Sequence, residues 1–344
     1  MATSAQLRKQ ILQGSWDAVL AALYGANPAV LQRQRGRYAA ALEQFELYFG
    51  PGRQVQVYSA PGRAELGGNH TDHQHGRVLA GSVNIDMIAA AAPNSLNQLR
   101  VQSEGYDLCV IDLDDLTARK EEENTTASLL RGECEAFRQR GAKLSGLDVY
   151  ISSNVPKGSG VSSSAAFEVL VGVILNDCFM DEKVSPIAIA QIGQWAENVY
   201  FGKPCGLMDQ MGSSVGGAVA IDFSDPADPV VRQVGYDFSQ SGHALCIVDT
   251  GSCHADLTDD YADITREMGA VAAHFGRQVL RDVPEADFRA AIPELRRECG
   301  DRAVLRALHF YADDRKALDE ADALEARDFN RFLALVNASG LSSA

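Results

Sequence analysis

The residues best able to do chemistry form a Gly/Ser-rich run, PKGSGVSSSA, from Pro156 to Ala165. Glycines let the backbone approach a ligand closely, and consecutive N–H groups at a helix N-terminus bind anions. Serine hydroxyls donate to phosphate oxygens or ligate Mg²⁺. The run has neither the Gly-Lys-Ser/Thr of a Walker A loop nor the G-x-G-x-x-G of a dinucleotide fold. A strand-like segment before it and an apolar helix-like segment after it favour a phosphate loop over a flexible turn.

Two carboxylates follow this run at positions suited to phosphoryl transfer. Glu197 lies on a mostly apolar helical pattern, and Asp209 follows in a Gly-flanked loop. Mg²⁺ prefers hard oxygen ligands, and one carboxylate beside phosphates and water satisfies it. A second carboxylate beside an acceptor hydroxyl can orient or deprotonate it. Taken singly, each residue fits a solvated helix or turn position equally well.

A third polar segment, APGRAELGGNHTDH, runs from Ala60 to His73. Short polar side chains in a Gly-bounded loop suit the recognition of sugar hydroxyls, and Arg63 is suited to stabilising developing phosphoryl charge. His70, His73 and His75 also allow a metal site, although histidine prefers softer metals than Mg²⁺. An ordinary polar loop is the remaining alternative.

The elements that must position these residues follow from apolar spacing and turn signals. Helical spacing covers about 4–49, and Ser185-Pro186 begins a helix that ends near Gly202. The other predicted elements are strands at 55–58, 83–92, 99–103 and 147–155, a buried helix at 165–179, a short buried strand at 244–248 and mostly helix from 257. This mixture predicts an α+β fold.

The bulk composition excludes several classes of partner. The net charge is −15 with no cluster of five basic residues, so we expect no nucleic-acid partner and no anionic membrane partner. The seven cysteines are scattered without a CxxC pair, which predicts reduced thiols in a cytoplasmic protein. The N-terminus has no apolar signal-peptide core, and no apolar run approaches the roughly 20 residues of a membrane span.

Together and in this order, the three segments resemble the motifs of the GHMP sugar kinases, among which the galactokinases are the most similar. The family pattern P-G-R-x-x-x-x-G-E-H-T-D-Y is similar to Pro61–His73, and P-x-G-x-G-L-S-S-S-A to Pro156–Ala165. The family's G-I-M-D-Q is similar to GLMDQ at Gly206–Gln210. The resemblance extends from about Ser59 to the C-terminus.

The resemblance implies a role for each matching residue. Asp209 would be the catalytic carboxylate, and Arg63 would lower the pKa of the sugar hydroxyl and steady the phosphoryl group. Ser163 and Glu197 would hold Mg²⁺. The ATP phosphates would be lined by Pro156, Gly158, Ser159, Gly160, Ser162, Ser163 and Ser164. The sugar would contact Asn69, His70, Asp72, Gly206 and Tyr261.

The resemblance also implies a two-lobed GHMP kinase fold. The N-terminal lobe would resemble domain 2 of ribosomal protein S5, and the C-terminal lobe would be ferredoxin-like. The expected division is a helical extension at 1–50, the ATP-binding lobe at 51–225 and the C-terminal lobe at 226–344. The family's glycine-rich motif G-G-G-F-G-G is not found near the C-terminus, so we expect the second lobe to be incomplete.

The implied activity is ATP- and Mg²⁺-dependent phosphorylation of the anomeric hydroxyl of galactose by a cytoplasmic monomer. Two residues depart from the family pattern, because Asn69 stands where the family has Glu and His73 where it has Tyr. An amide both donates and accepts, and it does not repel a sugar acid as Glu would. The alternatives are a kinase for galacturonate, an N-acetylhexosamine or arabinose, and a non-catalytic sugar sensor built on the same fold.

Overall fold

The computed structural model describes residues 2–156, 158, 160–248 and 258–343, and within 258–261 it describes the backbone only. The chain divides into two compact units. Unit 1 comprises Met1–Gly62, Val83–Lys157 and Ser162–Cys205, and unit 2 comprises Arg63–Ser82, Gly158–Val161 and Gly206–Ala344. The three-part division predicted from the sequence stays a prediction.

Unit 1 contains a mixed sheet and six helices in its described residues. The helices are α1 (Ser4–Leu12), α2 (Asp17–Tyr24), α3 (Pro28–Phe49), α4 (Thr126–Gln139), α5 (Ser163–Met180) and α6 (Pro186–Ala196). The strands are β1 (Gln56–Gly67), β2 (Arg77–Pro93), β3 (Gln98–Ser103), β4 (Cys109–Asp112) and β5 (Leu147–Ser153), of which β1 and β2 continue into unit 2. The strand order is β4-β3-β5-β2, with β3 and β5 parallel and the other neighbours antiparallel.

The helical prefix α1–α3 is part of the core of unit 1. Asn27 caps α3, Pro28 occupies its first turn, and Gly50 ends it with a positive φ. Leu42 and Phe45 of α3 are buried against Ile88 of β2 and Tyr150 of β5. The prefix therefore covers one face of the sheet, a role that the sequence pattern did not assign to it.

Unit 2 extends β2 with two further strands and is otherwise helical in its described residues. Its elements are α7 (Met208–Ser214), β6 (Ala218–Asp222), β7 (Val230–Val234), α8 (Thr258–His274), α9 (Glu285–Glu298), α10 (Asp301–Glu325) and α11 (Phe329–Ser343). The first residues of β2 pair antiparallel with β6, which pairs antiparallel with β7. One apolar cluster joins β2, β6 and β7 to α10 and α11, and a second joins α8, α9 and α10.

The buried strand predicted at 244–248 is wrong. These residues have no regular secondary structure, and Leu245 and Val248 are 61 % and 78 % exposed. Apolar composition predicts burial only where another element covers the segment, and no described element does so here. The helices predicted at 4–49 and from 258 onward are confirmed, and so is the Ser185 cap of α6.

Helix α5 is the one described helix with the length and mean hydropathy of a membrane span. The expectation that no apolar run approaches that length is therefore wrong. Of the residues in this 18-residue window, 56 % are buried inside the protein.

Candidate active site

The centre of the candidate site is an ion pair between Arg63 in β1 and Asp209 in α7. Arg63 Nε donates to Asp209 Oδ1 at 2.9 Å, and Arg63 Nη2 lies 2.6 Å from Asp209 Oδ2. This two-point geometry fixes both the distance and the rotation of the carboxylate. Arg63 is 6 % exposed, whereas the Asp209 side chain is 30 % exposed. The Asp209 carboxylate is thus held by a buried guanidinium and is itself partly exposed.

Arg63 also binds the backbone of the Gly/Ser loop. Its Nη1 donates to the Gly160 carbonyl oxygen at 2.5 Å, and its own amide N–H donates to the Val161 carbonyl oxygen at 3.1 Å. A Cβ on Gly212 would stand 3.0 Å from the Arg63 Cβ, so α7 needs glycine there to approach β1 this closely. One guanidinium therefore connects the loop to Asp209.

The Gly/Ser loop has the backbone geometry that its glycines predict. Gly158 and Gly160 have φ of +68° and +75°, and a Cβ at either position would meet no atom within 4 Å. Ser162 also has a left-handed φ, and α5 begins at Ser163 directly after it. Pro156, Gly158 and Gly160 are exposed, and Ser162–Ser164 are half-buried. Ser159, predicted to contact ATP, lies outside the described residues, as does Lys157.

Glu197 lies in a π-helical turn, Glu197–Phe201, that continues α6. Its side chain is buried, and Oε1 accepts from Lys203 Nζ at 3.1 Å. The Ser163 hydroxyl and the Glu197 carboxylate are hard oxygen donors of the kind that Mg²⁺ prefers, so this donor set fits that ion. Within the described part of the chain, no three His, Cys, Asp or Glu side chains are grouped to hold a metal, and this includes His70, His73 and His75.

The predicted sugar residues Asp72 and Gly206 touch each other. Asp72 lies in a 3₁₀ turn, Thr71–Gln74, and its carboxylate reaches the Gly206 backbone. A Cβ on Gly206 would stand 1.9 Å from Asp72 Oδ2, so any larger residue there must displace the Asp72 carboxylate. Because Gly206 lies close before Asp209 in the chain, the predicted sugar residue Asp72 and the predicted catalytic residue Asp209 come together in unit 2.

The segment Gly68–Asp72, which we call the sugar loop after the predicted sugar residues in it, contains residues in a strained conformation. Asn69 and His70 have φ of 51° and 58°, the left-handed region that non-glycine residues rarely adopt. Glu65 accepts from the His70 backbone N–H at 2.6 Å, and its second oxygen lies 3.4 Å from His70 Nε2. Burial raises the pKa of Glu65, while His70 opposes that rise. Glu65 thus stabilises the backbone of the sugar loop.

Comparison with known proteins identifies the family. The model of the GHMP kinases N-terminal domain matches residues 128–217, and the galactokinase galactose-binding signature matches residues 43–93. A galactokinase of Streptomyces coelicolor is 33 % identical over 79 % of this chain and 70 % of its own length. The chain belongs to the galactokinase family. A galactokinase of Glaesserella parasuis is 31 % identical over 86 % of this chain and 76 % of its own length.

Solved structures show that the galactokinase fold is shared. The Lactococcus lactis galactokinase complexed with galactose has a TM-score of 0.71 at 24 % identity, covering 89 % of this chain and 79 % of that one. A D-glycero-D-manno-heptose 1-phosphate kinase from Bacteroides thetaiotaomicron has a TM-score of 0.53 at 14 % identity, covering 84 % and 79 %. The two-lobed α+β GHMP kinase fold predicted from the sequence is therefore confirmed.

Three residues that contact predicted site residues were not singled out from the sequence. Glu65 holds His70, Lys203 pairs with Glu197, and His309 of α10 contacts Asn69 at 3.0 Å. Glu65 lies within the segment Ala60–His73, close to His70 in sequence, so the sequence did contain an indication of this contact. His309 lies 240 residues from its partner and carries no such signal. The side chain of Tyr261, predicted to contact the sugar, lies outside the described residues.

Proposed function

We propose that this chain transfers the γ-phosphoryl group of ATP to the anomeric hydroxyl of a sugar, with galactose as the first candidate. The observation that carries the proposal is the fork between Arg63 and Asp209, which also reaches the Gly160 carbonyl. The Arg63 guanidinium thereby contacts both the proposed base and the phosphate loop, and it supplies positive charge for the transition state. Such an assembly serves phosphoryl transfer, which depends on positioning and electrostatic stabilisation.

Asp209 is the proposed base. The anomeric oxygen attacks the γ-phosphorus, the bond from phosphorus to the β,γ-bridging oxygen breaks, and ADP leaves. The proton of the hydroxyl passes to a carboxylate oxygen of Asp209 as the new O–P bond forms. Arg63 orients Asp209 through its two contacts, and it also stabilises charge on the equatorial phosphoryl oxygens.

The phosphate loop and two oxygen ligands would bind the phosphates of ATP and their Mg²⁺ ion. The backbone N–H groups of Gly158–Ser164 and the dipole of α5 favour the phosphate charge. Ser163 and Glu197 are the proposed ligands of Mg²⁺, which neutralises phosphate charge when bound. Lys203 Nζ lies 3.1 Å from Glu197 Oε1, so the buried carboxylate has a cation beside it.

The sugar residues are Asn69, His70, Asp72 and Gly206, all in unit 2. Galactose is put first because several relatives are named galactokinase and a galactose-binding signature matches residues 43–93. We further propose that the enzyme acts as a cytoplasmic monomer, without a nucleic-acid or membrane partner.

ADP release measured with ATP, Mg²⁺ and a panel of sugars tests this proposal. The panel contains galactose, galacturonate, N-acetylgalactosamine and arabinose, and the product is identified by mass and by its anomeric phosphorus signal. We expect Mg²⁺-dependent formation of a sugar 1-phosphate from galactose, abolished in Asp209→Asn. Absence of ADP release with every sugar, or full turnover in Asp209→Asn, would contradict the proposal.

A further inference from the structure

The side chain of Arg37, in α3, reaches two strands of the sheet in unit 1. It is 9 % exposed and pairs with Asp86 of β2, whose side chain is 4 % exposed. Arg37 Nη2 donates to the Asp86 carbonyl oxygen at 2.8 Å and to the Ser152 carbonyl oxygen of β5 at 3.3 Å. The helical prefix therefore contacts the sheet through a buried charge as well as through its apolar side chains.

Arg37 has one more partner, Asn154, which directly follows β5. In the amide orientation that fits its neighbours, the Asn154 side-chain oxygen accepts from Arg37 Nη1 and Nε, each at 3.2 Å. The opposite orientation would turn the amide N–H groups towards the guanidinium N–H groups, and two donors do not pair. The five N–H groups of the guanidinium thus have acceptors on Asp86, Ser152 and Asn154.

Asp86 is itself held by donors from several elements of unit 1. Its Oδ1 accepts from Arg37, and its Oδ2 accepts from the hydroxyl groups of Tyr24 in α2 and Ser59 in β1. A buried carboxylate needs such donors and a cation because it has lost its contacts with water. Asp86 is therefore a fixed anchor for the Arg37 guanidinium.

These contacts end directly before the predicted phosphate loop. The regular pairing of β5 with β2 ends at Ser153. Beyond it, the Asn154 N–H donates to the Asp86 carbonyl oxygen at 3.0 Å, and the predicted loop begins two residues later at Pro156. Arg37 and Asp86 therefore hold both the side chain and the backbone of Asn154, where the chain leaves the sheet.

We propose that Arg37 and Asp86 position the start of the phosphate loop through Asn154, so that the helical prefix contributes to ATP binding. This inference rests on the proposed kinase function. A glycine-rich loop binds phosphate through backbone N–H groups that point to one place, and a loop fixed before the ligand arrives loses less entropy on binding. Arg37 and Asp86 are positioning residues, because they act on ATP through the backbone that follows Asn154.

Asn154→Ala tests this link at an exposed residue. The change leaves the pair between Arg37 and Asp86 in place and removes one acceptor of the guanidinium, so KM for ATP should rise about fivefold or more. KM for galactose and kcat should stay within about twofold of the parental values, because only ATP binding is weakened. An unchanged KM for ATP in folded Asn154→Ala protein overturns the inference.

Asn84→Ala is the matched control for this substitution. Asn84 is an exposed asparagine of β2 that borders the same small cavity as Asn154, and no hydrogen bond among the described residues joins it to Arg37. Its KM for ATP should equal the parental value. A rise as large as that in Asn154→Ala would show that any change on this surface weakens ATP binding, and it would overturn the role of the Arg37 contact.

Arg37→Lys and a double variant test whether the two residues act together. Lysine keeps a cation beside Asp86 but offers one nitrogen in place of three, so it cannot also hold Ser152 and Asn154. KM for ATP should rise at least as much as in Asn154→Ala. In Arg37→Lys combined with Asn154→Ala it should stay within about twofold of the Arg37→Lys value, because the contact is already lost. Effects that multiply would overturn the inference.

Thermal unfolding checks that each variant is folded, and Asn154→Ala decides the test by itself if Arg37→Lys unfolds. A lower Tm in Arg37→Lys with a parental KM for ATP would assign Arg37 to stability alone and overturn the inference.

Calorimetric binding of the non-hydrolysable ATP analogue AMPPNP with Mg²⁺ separates this inference from the proposed function. Weaker binding in Asn154→Ala than in a parent that phosphorylates no sugar would contradict the kinase activity and support the positioning role. Transfer to galactose, with equal AMPPNP affinity in the parent and in Asn154→Ala, would support the kinase activity and overturn the inference. A parent that does not bind AMPPNP would contradict both.

Discussion

The proposed catalytic pair, Arg63 and Asp209, and the sugar loop are supported in different ways, although both lie in unit 2. Arg63 is buried, its guanidinium meets Asp209 at two points, and both residues lie in segments that match family motifs. Asn69 and His70 are exposed and left-handed, and their supports are Glu65 and residues of α10 and α11. The two regions thus differ in burial, in strain and in where their partners come from.

This difference teaches which part of the site can vary. A buried two-point ion pair loses function when either partner changes, because the remaining charge is left without its partner. An exposed loop held by separate side chains can change its residues one at a time, and each change alters the ligand preference more than the chemistry. We therefore expect large effects on kcat at the catalytic pair and effects on KM or specificity at the sugar loop.

The largest effect is expected at Arg63. Arg63→Lys keeps a positive charge but loses the fork to Asp209 and the bond to Gly160, so kcat should fall by about 10²–10³-fold. The measurement is single-turnover phosphoryl transfer at saturating galactose. Arg232→Lys, an exposed pair with Asp322 in the same unit, should leave kcat unchanged. If Arg63→Lys raised KM and left kcat unchanged, the expected difference between the proposed catalytic pair and the sugar loop would be contradicted.

The next effect is expected at Gly206, where the two regions meet. Gly206→Ala forces the Asp72 carboxylate away, and a displacement of about 1 Å lowers kcat/KM for the sugar by about 10²-fold. Steady-state kinetics with galactose and ATP measure this, and KM for ATP should stay near the parental value. Gly235→Ala, where a Cβ meets no atom, is the matched control. Wild-type kinetics in Gly206→Ala would show that the sugar loop tolerates displacement after all.

A smaller effect is expected at Glu197, in unit 1. Glu197→Gln removes the charge of a proposed Mg²⁺ ligand, so the Mg²⁺ concentration for half-maximal rate should rise about tenfold or more. Lys203→Met, which removes the cation bound to Glu197, should lower that concentration. Titration of Mg²⁺ at fixed ATP distinguishes the two variants. An unchanged Mg²⁺ requirement in Glu197→Gln would remove Glu197 from the metal site.

The last and smallest effect concerns stability and is expected at Glu320. This buried carboxyl of α10 packs against Gly67, just before the sugar loop. Burial, together with Asp313, Glu65 and Asp319, raises the pKa of Glu320 from 4.5 to about 8, and Lys316 opposes the rise. The folded state holds the proton more tightly than the unfolded state. Stability is therefore full below pH 4.5 and falls as the pH rises through about 8.

Urea unfolding between pH 5 and pH 8 tests this sign. Glu320→Gln has no proton to lose, so its free energy of unfolding should change with pH by a few kcal/mol less than that of the parent, on the order of the pKa shift. Glu325→Gln, an exposed residue of the same helix, should follow the parent. Parallel pH profiles for Glu320→Gln and the parent would place the Glu320 pKa near its usual value.

Several features of the fold followed from local sequence patterns. Helix α3 is specified by Asn27, Pro28 and Gly50, and α6 by Ser185 and Pro186, because caps and turn residues act within one or two turns of the backbone. The predicted strand at 244–248 failed because burial depends on a covering element, which an apolar run cannot specify by itself.

The sequence by itself determined which residue types stand in the three motifs, the glycines that need a left-handed φ, and hence the family. Only the tertiary structure decided that Arg63 meets Asp209 across 146 residues of chain, that the prefix α1–α3 covers the sheet, and that His309 contacts Asn69. The physical reason is the distance along the chain over which each kind of interaction acts. Backbone preferences and caps act between neighbours in sequence, whereas ion pairs, side-chain orientation and burial depend on which distant segments pack together.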